Sequence, residues 1–195
     1  MSKPLFVLAS KSPRRKALLQ KIGINAQIIP SNVDESAYNK LDPQKMVTQL
    51  AMVKAADVAR SMRGNTFVIG ADTCVCLDGK IFGKPQSMED AENMLKKLSG
   101  RTHQVYTGYC VISCSDGKAV SKYSATDVTF RTLTDKEIKA YVKTRECMDK
   151  AGAYGIQEKG AVFVEKIDGD YSSVVGLPVC ALARLLSEEF SIDIL

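Results

Sequence analysis

Leu5-Phe6-Val7-Leu8-Ala9-Ser10-Lys11-Ser12-Pro13-Arg14-Arg15-Lys16-Ala17-Leu18-Leu19-Gln20-Lys21-Ile22-Gly23 is the stretch that decides the fold. The apolar run Leu5 to Ala9 is strand-sized. A helical pattern follows through Ile22. Ser12 can cap that helix, and Pro13 suits its first turn, where a missing N–H costs nothing. Gly23 is a natural stop. A strand, a short polar loop and a helix in this order form a unit that usually belongs to an α/β sheet.

The same punctuation continues outward. A short strand around Gln27 to Ile29 leads into a polar loop, Pro30 to Leu41, that holds Asp34 and Glu35. Asp42-Pro43 begins a long helix to about Met62. Phe67 to Asp72 reads as a buried strand ending in a carboxylate, and Thr73 to Leu77 with Lys80 to Phe82 as a hairpin turning on Asp78-Gly79. Ser87-Met88-Glu89-Asp90 caps a helix to about Leu98. Val105 to Ser113 and Ala119 to Phe130 are strand-like and separated by Asp116-Gly117. Thr134-Asp135-Lys136-Glu137 is a capping box opening a helix to about Lys143. A strand from Ala161 to Ile167 and a helix from Leu177-Pro178 to Glu189 close the chain. Parallel-type and hairpin signals together predict an α/β fold with a mixed central sheet flanked by helices.

The 195 residues are 45% apolar and 25% charged, enough for one ordinary core and unlike disordered or collagen-like chains. One domain, 1–195, is expected, with two lobes. The net charge of +5 and pI of about 8.8 suit an anionic partner or a solvated basic surface equally. The six cysteines include no C-x-x-C pair, and His103 is the single histidine, too few for a zinc site with scattered thiols. No apolar run approaches the roughly 20 residues that span a bilayer. Free thiols in a reducing cytoplasm are therefore expected, with no membrane association.

Several positions could carry chemistry. Arg14 and Arg15 stand in a first helical turn, where the helix already carries partial positive charge and cations are unfavourable. Breaking a local rule in adjacent residues points to a bound anion, with Ser10, Ser12 and the free N–H groups completing a phosphate site, or to simple solvent screening. Asp72, placed at the carboxyl end of a strand, could hold Mg²⁺ or take a proton from water, or form an Asx turn with Thr73. Glu35 is either a second carboxylate or an ordinary loop acid. Lys54, among Ala51, Met52, Val53, Ala55 and Ala56, either snorkels to water or enters a site. Lys84 in Gly83-Lys84-Pro85 could neutralise charge, although the P-loop spacing is absent. His103 lacks a partnered nucleophile and reads as structural, hydrogen-bonded near a strand end. No stacking motif for nucleic acid is present.

Taken in order, Leu8-Ala9-Ser10-Lys11-Ser12-Pro13-Arg14-Arg15, Gly70-Ala71-Asp72-Thr73, Gly83-Lys84-Pro85, Leu98-Ser99-Gly100, Lys150-Ala151-Gly152-Ala153-Tyr154-Gly155-Ile156-Gln157 and Val175-Gly176-Leu177-Pro178 resemble the Maf family of nucleoside triphosphate pyrophosphatases. The resemblance implies two lobes around a deep cleft, akin to inosine-triphosphate pyrophosphatases. It also implies a divalent cation, Mg²⁺ or Mn²⁺, held by Glu35 and Asp72. Asp72 matches the general base, Lys54 and Lys84 the phosphate-neutralising lysines, and Ser10, Arg14 and Arg15 the phosphate-binding motif. Arg14, Thr73 and Gln157 match the dTTP/UTP subgroup rather than the 7-methyl-GTP subgroup. Gln157 makes physical sense as a pyrimidine reader, since its amide both donates and accepts. Lys11 and Cys74 depart from the family's usual small or aliphatic residues.

The activity implied is hydrolysis of dTTP and UTP to monophosphate and pyrophosphate. The same chemistry on modified nucleotides, and a non-enzymatic binding role in division or septum control, are the alternatives. A homodimer is compatible with the sequence, which does not fix the oligomeric state.

Overall fold

A computed structural model describes residues 3–38 and 41–195, so Asn39 and Lys40 of the predicted polar loop lie outside it. The opening unit forms as read: β1 (Leu5–Leu8), then α1 (Pro13–Lys21), then β2 (Gln27–Ile28). Ser12 caps α1 by accepting the Arg15 N–H at 3.4 Å. Gly23 follows with φ +80°, the left-handed stop that a glycine supplies without strain. After α2 (Pro43–Ala59) come β3 (Thr66–Leu77), β4 (Lys80–Phe82), α3 (Met88–Leu98), β5 (Thr102–Ser113) and β6 (Ala119–Phe130). The chain closes with α4 (Asp135–Lys143), β7 (Val164–Asp168), α5 (Tyr171–Val175) and α6 (Val179–Phe190).

Among the described residues these strands form one seven-stranded sheet in the order β2-β1-β3-β5-β6-β7, with β4 paired to β3. β1 runs parallel to β2 and β3, whereas β3/β4 and β6/β7 are antiparallel, so the sheet is mixed as the sequence predicts. The capping box at Thr134 is complete, with Glu137 returning a bond to the Thr134 N–H. Ser87 caps α3 through the Asp90 N–H.

The chain divides into two compact units. Met1–Asp72, Thr107–Ser124 and Gly176–Leu195 make the first, and Thr73–Tyr106 with Ala125–Val175 the second. In the first, α2 lies on the sheet over a core of Val7, Ala9, Ala51, Ala55, Val58, Val68, Cys110 and Ile112. The contact is close because β3 and β5 offer glycines there. A Cβ on Gly70 would collide with the Ala51 carbonyl oxygen and lie 2.9 Å from Ala55, and one on Gly108 would collide with the Val47 carbonyl. Glycine inside a strand commonly marks such a backbone approach.

In the second unit Phe130 and Tyr154 pack edge-on against His103 and each other, and Phe163 packs behind Phe130. His103 is structural, as its sequence context suggests. It is fully buried in β5 with Nε2 at 2.8 Å from the Tyr154 hydroxyl.

The elements differ from expectation in three places. Phe67–Asp72 and Thr73–Leu77 are a single strand, so Asp72 stands inside β3 rather than at its carboxyl end. Asp-Thr favours turns locally, but pairing of Val75–Leu77 with β4 carries the extended backbone onward. Residues 159–163 form a 3-10 helix before β7, where a strand from Ala161 is expected. The short helix α5 carries no clear helical signature in the sequence. No disulfide joins the cysteines, and no helix among the described residues is long and apolar enough to cross a membrane.

Candidate functional site

The first unit gathers most of the expected site residues. No acidic residue occupies the first turn of α1. Arg15 is held there by its own surroundings: Nη1 donates to Ser10 Oγ at 3.1 Å and Nε to the Gly176 carbonyl at 2.8 Å. Ser10 Oγ also accepts the Ser12 N–H at 3.2 Å. Burial pulls the Arg15 pKa below its usual value, the negative charge of Asp72 acts against that pull, and neighbouring Arg14 adds to it. A helix N-terminus with fixed hydroxyls and a desolvated guanidinium is built to receive an anion. The Gly176 contact also gives a physical reason for Val175-Gly176-Leu177-Pro178, the last of the sequence blocks.

Lys54 does not snorkel to water but turns its ammonium toward two carboxylates. It is 8% exposed on α2, and its Nζ lies 2.6 Å from Asp72 Oδ1 and 2.7 Å from Glu35 Oε1. Gly70 makes this pairing reachable, since it lets α2 settle on β3 two residues before Asp72. Asp72 is almost as buried as Lys54, so its charge depends on the lysine, which itself has Glu35 as a second partner. Glu35 differs. It lies at the edge of the short 3-10 helix Ser36–Tyr38 and keeps about half of its side chain in water, 54%. An Asx turn is not the role of Asp72, which has strand geometry and a buried cation.

Two carboxylates converging on one ammonium are hard oxygen donors that lie close together. Among the described residues no group of three or more His, Cys, Asp or Glu could hold a metal ion. The pair does fit a cation such as Mg²⁺, which commonly takes one or two carboxylates and completes its shell with water and substrate phosphates.

Thr73, half-buried, follows Asp72 along β3. Lys84 and Gln157 belong to the second unit. Lys84 is exposed just beyond β4, and Gln157 is exposed in a turn. Their segments are tied by the Gly152 N–H, which donates to the Gly83 carbonyl at 3.0 Å. Gly152 has φ +69°, and a Cβ there would press on Val75 at 2.8 Å.

The sequence reading quoted Gly70 and Gly176 within its motif blocks but gave them no role, and it missed Tyr141 and Glu146, which hold the segment bearing Gln157. The one signal for that anchoring was a lysine, Lys150, within a glycine- and alanine-rich run.

The sequence profile of the family described as Maf-like protein matches residues 5–189. A protein of Alkaliphilus metalliredigens named dTTP/UTP pyrophosphatase is 49% identical over 190 residues, covering 97% of this chain and 98% of that protein. Proteins of the same name from Bacillus anthracis and a Thermoanaerobacter species are 48% and 47% identical, and each comparison covers 97% of this chain and 97% and 99% of the relative. Among solved structures, the Staphylococcus aureus Ham1 protein aligns with a TM-score of 0.47 and 17% identity over 64% of this chain and 71% of that one. A dITP/XTP pyrophosphatase from Mycobacterium abscessus aligns with a TM-score of 0.42 and 12% identity, over 66% and 74%.

Proposed function

The chain belongs to the Maf-like protein family, and on that premise we propose that it hydrolyses dTTP and UTP to the monophosphate and pyrophosphate. The observation that carries the reading into this molecule is the shared Lys54 ammonium between Asp72 and Glu35, in the unit that also fixes Arg15 at a helix N-terminus. Such an arrangement answers the needs of a polyphosphate: positive charge for its oxygens and a carboxylate for the attacking water.

Water attacks the α-phosphorus as the bond to the bridging oxygen of the departing pyrophosphate breaks. Asp72 accepts the proton lost by the water. Lys54 engages Oδ1 of Asp72, and that contact holds the carboxylate in place for the transfer. Arg14 and Arg15, with the α1 N–H groups and Ser10, bind phosphate oxygens. Lys54 and Lys84 offset charge that builds on the leaving group. Held by Glu35 and Asp72 when bound, Mg²⁺ or Mn²⁺ would polarise the phosphate oxygens as a Lewis acid. Gln157 reads the pyrimidine edge through its amide, and Thr73 lies beside the base carboxylate.

The test is a product assay with dTTP or UTP and Mg²⁺. Pyrophosphate and monophosphate are expected, whereas release of orthophosphate would exclude cleavage between the α- and β-phosphates. Asp72→Asn should lower turnover by about 100-fold or more, the usual scale of a general base; near-normal turnover removes Asp72 from that role. CTP, 7-methyl-GTP and modified pyrimidine nucleotides belong in the same panel, since a higher kcat/KM on one of them would move the substrate assignment.

A further inference from the structure

We propose that Glu146 and Lys150 are positioning residues that set base selectivity by fixing the turn that carries Gln157. The proposal rests on the reading of Gln157 as the base reader. Residues 146–163 are built largely from short 3-10 turns, at Glu146–Asp149, Ala151–Ala153 and Lys159–Phe163. Such turns have poor internal hydrogen-bond geometry, so a segment made of them takes its shape from outside contacts. Around Gln157 itself, the side-chain contacts come largely from two charged residues one helical turn apart.

Glu146 holds one side of the turn. Its Oε1 accepts the Tyr141 hydroxyl at 2.9 Å and the Gly160 N–H at 3.2 Å, and its Oε2 accepts the Lys159 N–H at 3.2 Å. The Tyr141 hydroxyl in turn accepts the Gly155 N–H at 3.2 Å. Burial pushes the Tyr141 pKa up, and the adjacent Glu146 carboxylate adds to this, so the phenol stays a donor to Glu146.

Lys150 holds the other side. Its side chain is 7% exposed, and Nζ donates to the Glu146 carbonyl at 2.5 Å and to Asp149 Oδ1 at 2.8 Å, and pairs with Glu158 Oε2 at 3.3 Å. Gln157 is thereby bracketed on both sides by anchored positions: Gly155 before it, and Glu158, Lys159 and Gly160 after it. The bracket is tight, for a Cβ on Gly155 would meet Lys150 Cε at 2.5 Å, and one on Gly160 would meet the Gly155 carbonyl at 2.8 Å. Gln157 itself is exposed, so its own side chain contributes little to the shape of the turn. A buried ammonium and a carboxylate with several donors are poor stability devices compared with apolar packing, but they specify geometry. What they specify here is where an amide that must both donate and accept is presented.

The test is steady-state kinetics with UTP and CTP, whose base edges exchange a carbonyl and an N–H for an amine and a ring acceptor. Gln157→Ala should reduce the UTP-to-CTP ratio of kcat/KM. Lys150→Met and Glu146→Gln should reduce the same ratio roughly 10- to 100-fold, the scale of a misplaced recognition group, mainly through KM for UTP. Adding Lys150→Met to Gln157→Ala should lower the ratio no further. A ratio unchanged by Lys150→Met and Glu146→Gln but lowered by Gln157→Ala overturns the positioning role alone. An equal loss of kcat on both nucleotides also overturns it, since that marks general disruption. A ratio unchanged by Gln157→Ala removes the base reader and the proposal with it. Should the buried variants fail to fold, Glu158→Ala decides. It loses a half-exposed partner of Lys150 and should lower the ratio about two- to fivefold, while an unchanged ratio overturns the proposal.

Discussion

Replacing Lys54 with methionine keeps the length of the side chain and removes the charge that two carboxylates share. Two unit charges at the 2.6 Å separation of Lys54 Nζ and Asp72 Oδ1 attract by about 6 kcal/mol at an effective dielectric near 20, before desolvation is subtracted. The side chains are only 10% and 13% exposed, so the Lys54→Met protein must bury the Asp72 charge unpaired. Breaking a buried pair in this way costs about 3–5 kcal/mol. Glu35, with 54% of its side chain exposed, recovers its hydration when the lysine goes and adds little to that cost. Asp72→Asn should cost less, because Lys54 keeps Glu35 as a partner. Urea unfolding at neutral pH measures these values, with the double variant Lys54→Met/Asp72→Asn completing a cycle. The double variant should be more stable than Lys54→Met alone, with a coupling of about 2 kcal/mol or more. A loss below about 1 kcal/mol for Lys54→Met, or two losses that simply add, would refute the view that Lys54 holds the buried Asp72 charge in place.

Three further outcomes are expected. Burial depresses His103 from 6.5 to about 4, against the weaker opposing pull of Asp127, with Tyr154 on its Nε2 and Phe130 against its ring. The unfolded chain therefore takes up the proton first, and the stability present above pH 6.5 is lost as pH falls from there toward 4, about 3 kcal/mol in full. Urea midpoints of the wild type and His103→Gln should diverge between pH 7 and 4.5, and parallel curves would rule this out. Gly70→Ala should destabilise the fold by several kcal/mol through its collision with the Ala51 carbonyl, and should weaken nucleotide binding in any protein that survives. A thermal scan with a binding isotherm checks both. Chelation of divalent cations should stop turnover, and added Mg²⁺ or Mn²⁺ should restore it; full activity in excess chelator excludes the cation.

Much of the fold could be read directly because its signals are local. Ser12-Pro13, Ser87, Thr134 with Glu137, and Gly23 each act within a turn of their own position, and each behaves as its chemistry requires. The Leu5–Gly23 unit accordingly forms a strand and a helix in the places expected. The local signal failed at Asp72-Thr73, where turn-forming residues sit within a strand that pairing with β4 carries onward as extended backbone. The candidate site was legible as residue types but not as contacts. Lys54 and Asp72 are 18 residues apart, and Arg15 and Gly176 are 161 apart, so periodicity could not pair them. The frame around Gln157 was hidden for a related reason. Glu146 works largely through backbone N–H groups, which every residue but proline possesses and which leave no mark in the sequence.

The missing side chain at Gly70 has a consequence for how this site can vary. The backbone spacing beneath the Lys54–Asp72 contact is set by Gly70 against the Ala51 carbonyl and the Ala55 methyl, and the lysine stem spans the rest. Ala51 and Ala55, though they touch no phosphate, therefore act as spacers, and a larger residue at either would lift the helix and the ammonium together. The spacing of α2 from β3 under this contact is therefore tied to residues 51, 55 and 70 together. What residues 51, 55 and 70 hold is a gap, and they hold it by being the smallest residues available.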